Sequence, residues 1–233
     1  MDSDATDIWG AAVEGDLYSI GQFLKQGVDV NAKNESHESL LFIATKRQQI
    51  PVVQYLVLKG ADINTTDRNG TPVINVAAMY GNVGIARILL NAGSRPDMQI
   101  WIPVLRVALR WPLMVKLLID FQFDIHYQGP FSKRTFLMTA AREGYAHTMR
   151  ILINAGVDIH AVDLDGANAL KFAIRNHQTE AIHILFEAIL YREKMSAFAM
   201  GLQPRLGKHS MISLLHSDVV TTILENVEHE HSL

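Results

Sequence analysis

VVQYLVLKGADINTTDRNGTPVINV, residues 52–76, decides the fold. Val52, Val53, Leu56 and Val57 stand at i, i+1, i+4, i+5, one face of a helix. The run stops at Gly60, a residue that enters the left-handed conformation at helix ends. A short polar turn follows, and a second apolar run opens at Val73. The same phrase recurs as FLKQGVDVNAKN (23–34), LLNAGSRPD (89–97) and LINAGVDIHAVDLDG (152–166). Gly27, Gly60 and Gly93 are 33 residues apart, and Gly156 returns after roughly two further periods. A fixed period of this size predicts paired helices stacked as repeats, each touching only its neighbours.

Working outward, the first unit places Ile8, Ala11, Ala12, then Ile20, Phe23 and Leu24 on the inward faces of two short helices, with Asp16 between them. The second pairs Leu40, Leu41, Ile43 and Ala44 with the run at 52–57. Pro51 sits in a first helical turn, where its missing N–H is no loss. Ala44, Ala77 and Ala140 are small enough to let neighbouring helices approach closely. In the third, Ala77-Ala78-Met79-Tyr80-Gly81-Asn82 precedes IARILLNAG. The fourth is about four residues short, turns at Trp111-Pro112, and has Gln122 where a glycine is expected. A non-glycine left-handed residue costs on the order of 1 kcal/mol, so this helix end is expected to be built differently. The fifth recovers the pattern at 135–166. In the sixth, Ile189 replaces the glycine, so the last helix is expected to run on toward Tyr191–Lys194 and cover an exposed end.

The chain resembles the ankyrin-repeat family over most of its length, carried by the recurring GVDVN, GADIN and GVDIH phrase, the paired small residues and the period. The resemblance implies an all-α ankyrin-repeat solenoid of helix-turn-helix units with short β-hairpin turns. An array at 1–194 divides into units at 6–38, 39–71, 72–104, 105–134, 135–167 and 168–194. Residues 195–233 form a C-terminal loop, from Ala197 to Gly207, and a helical cap. The family's Thr-Pro-Leu-His box is degenerate. Thr71-Pro72 falls one position early, and the histidine's place holds Trp9, Phe42, Asn75, Met138 and Lys171. Apolar packing is therefore expected to carry the stability that Thr–His bonding would supply. Asn31 and Asn64 match an asparagine that is hydroxylated in some members.

Composition limits the function classes. Of 233 residues, 48% are apolar and 19% charged, which suits a globular chain rather than a disordered one. A net charge of −3 gives no global pull toward nucleic acid or a membrane surface. No apolar run reaches the roughly 18 residues that span a bilayer, and MDSDATDIWG lacks the basic and apolar regions of a signal peptide. Absence of cysteine excludes disulfides and thiolate chemistry. The expectation is a monomeric protein of the cytoplasm or nucleus, bound to neither membrane nor nucleic acid. Phosphate-cradling glycine motifs, the GxSxG elbow and the HExxH zinc motif are all missing from the sequence. His126 and His160 occupy the hairpin slot of Asn31 and Asn64 and read as turn residues. His229 and His231 lie in an acidic tail. No cofactor or metal is implied, and Asp163, Asp165 and His160 are read as ordinary turn residues rather than a catalytic site. The chain is read as no enzyme.

The resemblance implies that hairpin tips and first-helix ends line one concave face. The helix ends give Lys46, Arg47, Met79, Tyr80, Arg110, Trp111, Arg142, Glu143, Arg175 and Asn176. The tips add Arg68, Asn69, Lys133 and Arg134, with Trp101 nearby. Arg, Tyr, Trp and Met are the types enriched at interface centres, so a protein partner with an acidic surface is expected. Aromatic residues are too few for a nucleic-acid stacking platform. Near the C-terminus, SLLHSDVVTTILENV (213–227) is an amphipathic helix with Ser217 or Asp218 as N-cap. Leu215, Asp218, Val219, Ile223 and Leu224 resemble the opening helix of an F-box, although His216 stands in place of the proline. Two readings follow: a cap on the last repeat, or recruitment of a Skp1-type ubiquitin-ligase adaptor.

Overall fold

Short first helices alternate with longer second helices, several starts being fixed by a side-chain cap and most ends by a left-handed residue. The structure is a computed structural model, and it describes residues 7–94 and 104–199. The chain divides into two compact units, Met1–Phe123 and Asp124–Leu233. The boundary falls inside the irregular fourth repeat.

In the first unit, α1 (Ile8–Glu14) pairs with α2 (Leu17–Lys25), α3 (Leu40–Lys46) with α4 (Ile50–Leu58), and α5 (Val73–Met79) with α6 (Val83–Asn91). Residues 104–108 are helical (α7) and precede α8 (Pro112–Asp120). First helices pack side by side, α1 on α3 on α5, and second helices do the same, α2 on α4 on α6 on α8. Ala11, Ala12, Ala44, Ala77 and Ala78 are buried in the first-helix layer, where a larger side chain would force the helices apart. Val52, Val53 and Leu56 are fully buried in α4, as are Ile85 and Leu89 in α6 and Met114 and Leu118 in α8. Each such side chain contributes about 1.5–3 kcal/mol relative to exposure.

The second unit repeats the arrangement with α9 (Phe136–Glu143), α10 (Ala146–Asn154), α11 (Ala169–Arg175) and α12 (Thr179–Ala199). Here α9 packs on α11, and α12 on both α10 and α11. Helix α12 extends through Ala199, beyond the expected end near Lys194. Residues 197–199 are therefore helix rather than loop. Nothing at Ile189 can take the left-handed turn, and Arg192 donates to the Val157 carbonyl at 3.0 Å, tying the extension to the preceding hairpin.

Caps explain the helix starts. The Ser39, Thr135 and Asn168 side chains accept from the N–H groups of Phe42, Met138 and Lys171. Pro72 occupies the equivalent place in α5 and offers no such side-chain cap; there the Asn75 N–H donates to the Pro72 carbonyl at 3.0 Å instead. At the histidine place, Phe42 and Met138 are buried apolar side chains. Asn75 is buried with a side-chain oxygen that has no hydrogen-bond partner. Thr–His bonding is replaced there by packing.

Gln122 corrects an expectation. Its φ is +61°, the left-handed region that Gly93 and Gly156 adopt at the equivalent helix ends. The fourth repeat keeps the same helix stop and bears the strain of a side chain in it. The hairpin turns are tighter than strands: Lys33 with Ser39 and Thr66 with Pro72 form single antiparallel bridges. No described helix is long and apolar enough to cross a membrane.

Candidate functional site

Two structural zones carry the sequence-selected residues: the hairpin tips and the turns between first and second helices.

The hairpins are built on aspartates and asparagines that bond their own backbone. Asp29, Asp62, Asp124 and Asp158 each accept from the N–H two residues on, at 2.9 Å, the donors being Asn31, Asn64, His126 and His160. The two histidines thus repeat the asparagine turns, as read from the sequence. A second row supports the tips. Asp67 accepts from the N–H groups of Asn69 and Thr71, and Asp163 from those of Asp165 and Ala167. Burial alone would push both carboxyls up, but these N–H donors outweigh it and hold both below the ordinary aspartate range. For Asp163 the Arg134 guanidinium 3.5 Å away adds to the lowering. Asp163 is thus held as a structural carboxylate that ties the hairpin backbone to Arg134.

Neighbouring hairpins are then tied together. In the first unit the Asn31 side-chain oxygen accepts from the Asp62 N–H at 2.7 Å, Lys33 Nζ donates to the Thr66 carbonyl, and Arg68 Nε to the Ser36 carbonyl. In the second the Leu164 N–H donates to the Ser132 carbonyl. Arg68, Asn69, Lys133 and Arg134 are exposed on these tips. Arg134 is already engaged, paired with Asp163 and stacked 5.0 Å over the Phe172 ring.

The inter-helix turns repeat a motif absent from the sequence reading. The residue that opens a second helix reaches back one repeat, covers a glycine with φ above +60°, and donates to the carbonyl two residues before it. Gln49 does this over Gly15, donating to Val13 at 3.1 Å, and Gln178 over Gly144, donating to Arg142 at 3.3 Å. Trp111 does it over Gly81, its Nε1–H reaching the Met79 carbonyl at 3.3 Å. A glutamine or tryptophan 30 to 34 residues after a turn glycine is the sequence signal that could have revealed it.

This latch gathers one group of predicted residues in the first unit. Met79 and Tyr80 are 51% and 47% exposed, Trp111 lies against the end of their helix, and the Arg110 guanidinium stacks 5.2 Å over the indole. Lys46 and Arg47 are exposed at the end of α3, Lys46 pairing with Glu38 at 2.9 Å. They rim a cavity of about 350 Å³ whose apolar lining includes Trp9, Val13 and Ile43. In the second unit, Arg142 is bound by its neighbour Glu143 through Nε at 2.8 Å and Nη2 at 2.6 Å. Arg175 and Asn176 are exposed, the Asn176 amide turned back to the Phe172 carbonyl at 2.8 Å. Trp101, Leu215, Asp218, Val219, Ile223 and Leu224 lie outside the described residues.

Exposed apolar residues that the sequence reading passed over include Tyr18, Ile50 and Leu113 at second-helix starts and Phe131, Val162 and Leu164 in the hairpins. No group of three or more His, Cys, Asp or Glu side chains among the described residues could hold a metal ion.

A family model described as ankyrin repeats (3 copies) matches residues 8–100 and 107–194. The chain is 37% identical over 31% of its length to E3 ubiquitin-protein ligase Ufd4 of Drosophila melanogaster, covering 3% of that protein. It is 28% identical over 67% of its length to the nuclear factor NF-kappa-B p105 subunit of Gallus gallus, covering 17% of that protein. The chain thus spans only a small part of these relatives. Its fold matches the ankyrin repeat domain of Bcl-3, described as a member of the IkappaB protein family. That match has a TM-score of 0.68 and 22% identity, over 80% of this chain and 87% of that one.

Proposed function

The chain belongs to the ankyrin-repeat family, and from that premise we propose that it is a non-enzymatic binding module that receives an acidic protein surface on its first-helix ends and hairpin tips. Ankyrin-repeat domains mediate protein–protein interaction. One observation carries the finer reading: in the first unit, exposed Met79, Tyr80, Arg110 and Trp111 are held together by an indole-to-backbone bond and a guanidinium–indole stack. A preassembled set of this kind loses little side-chain entropy on binding, so a few anchors supply most of the affinity. Arginines at its edge favour carboxylates.

The test is capture of the partner from the source cells with the wild-type chain, followed by Arg110→Glu and Arg142→Glu. Charge reversal at Arg110 weakens binding, and salt weakens it in parallel, because rim charges act through screened electrostatics. Arg142→Glu has the smaller effect, since Glu143 already occupies that guanidinium. A partner that tolerates both reversals and high salt refutes the reading.

A second reading concerns residues 213–227, whose F-box-like pattern suits recruitment of a Skp1-type adaptor. Pull-down with and without residues 208–233 separates it: loss of the adaptor on truncation supports it, and no capture by the full chain rejects it.

A further inference from the structure

Exposed apolar side chains are sorted differently in the two units. In the first, every exposed large apolar side chain except Leu58 at the end of α4 (Leu17, Tyr18, Ile50, Met79, Tyr80, Trp111 and Leu113) lies at the end of a first helix, in the inter-helix turn or in the first turn of a second helix. In the second, the exposed residues at the equivalent places are polar, Glu143, His147 and Glu180, the aromatic Tyr145 is half-buried, and exposed apolar groups sit elsewhere. The first unit therefore has an apolar edge that its neighbour lacks. Contacts make that edge continuous across repeats: the Trp111 indole covers Gly81, and Ile50 lies 3.4 Å from where a Gly84 side chain would begin.

Charge brackets this edge. The turn of the second repeat presents Lys46 and Arg47 and that of the fourth presents Arg110, while the third, between them, presents Met79 and Tyr80 without charge. The Trp111 N–H is spent on the Met79 carbonyl, so the indole offers an apolar wall and a face for Arg110 rather than a hydrogen bond to an incoming group. A guanidinium stacked by its face still has its N–H rim for a carboxylate. Lys46 is neutralised by Glu38, leaving Arg47 as the stronger cation at its end.

We propose that this edge docks an amphipathic segment in which carboxylates flank apolar side chains, Met79, Tyr80 and Trp111 receiving the apolar centre and Arg47 and Arg110 the acids. The proposal rests on the acidic-partner reading above and narrows it to one edge of one unit. Tyr80 is the central anchor, since it is large, half exposed and flanked on both sides by repeats that supply the cations. A segment bearing acids alone would meet the arginines and leave this apolar surface in water, at a loss that scales with the area left uncovered.

Three labelled peptides, EEFLEE, KKFLKK and EESSEE, titrated with the full chain and followed by fluorescence anisotropy at low salt, provide the test. The expected order is EEFLEE tightest, with each of the others weaker by about tenfold or more, which corresponds to about 1.4 kcal/mol. Tyr80→Ala, and separately the Arg47→Glu/Arg110→Glu pair, each reduce EEFLEE affinity by about tenfold, while Phe131→Ser in the second unit leaves it unchanged. Circular dichroism of each variant confirms that the helices remain. Tyr80→Phe retaining affinity confirms an apolar contact. Equal binding of EESSEE overturns the apolar edge while leaving the acidic-partner reading intact. Equal binding of KKFLKK, or no binding of EEFLEE, overturns the proposal, and the acidic-partner reading is then decided separately by capture with Arg110→Glu.

Discussion

Replacing Gly81 by alanine probes the latch that holds the candidate surface together. Gly81 has φ of +66°, and a Cβ built there would lie 2.5 Å from Trp111 Cδ2 and 2.7 Å from Cε2. Gly70, in the same unit, has φ of +75° and open space around its own Cβ position, with nothing within 4 Å. The two sites therefore share a backbone cost and differ in one contact. The backbone cost of an L-residue in the left-handed region is about 1–2 kcal/mol. Driving a methyl into the indole adds about 1–3 kcal/mol of overpacking, because the ring is wedged between its own helix and the Met79 carbonyl. Gly70→Ala should then destabilise by about 1–2 kcal/mol and Gly81→Ala by about 2–5 kcal/mol. In a Trp111→Ala background the collision is gone, and Gly81→Ala falls back to the backbone cost alone. The cycle thus carries a coupling of about 1–3 kcal/mol. Urea unfolding monitored by far-UV circular dichroism measures it, with constant m-values required before midpoints are converted to free energies. Two results would refute the reasoning: equal destabilisation at Gly81 and Gly70, or additivity within about 0.5 kcal/mol in the cycle.

Other perturbations follow from the same packing. Leu56→Ala, at a fully buried α4 position, should cost about 2–5 kcal/mol in the same urea assay. Gln122→Gly should stabilise by about 1 kcal/mol, because glycine occupies the observed φ of +61° without strain; a loss of stability would contradict that geometry. Asp67 and Asp163 both have folded pKa values below their unfolded value of 3.8. Their contribution is therefore fully present above the unfolded pKa and is lost as pH falls below it, through the folded values. Urea midpoints measured from pH 6 down to pH 2 should fall below about pH 4, and Asp163→Ala should flatten that fall. At neutral pH, Asp163→Ala should cost about 1–3 kcal/mol by orphaning the N–H groups of Asp165 and Ala167.

The sequence by itself determined the repeat register, the helix pairs, the hairpin turns and the residues at the end of each first helix. It could do so because helical period, caps and turn glycines are local: Val52, Leu56 and Gly60 carry that information within one unit. The turn role of His126 and His160 was legible for the same reason, since each sits two residues after an aspartate. Tertiary structure decided which of those residues are already engaged. Arg142 is held by Glu143, Arg134 by Asp163, and Trp111 is folded onto Gly81 one repeat earlier. Nor did spacing disclose that Gln122 would accept a left-handed backbone, because the closing of a helix against its neighbours outweighs about 1 kcal/mol of local strain. A period near 33 assigns a side chain to a face, but its partner lies one period away, and only the packed neighbour fixes which rotamer it takes.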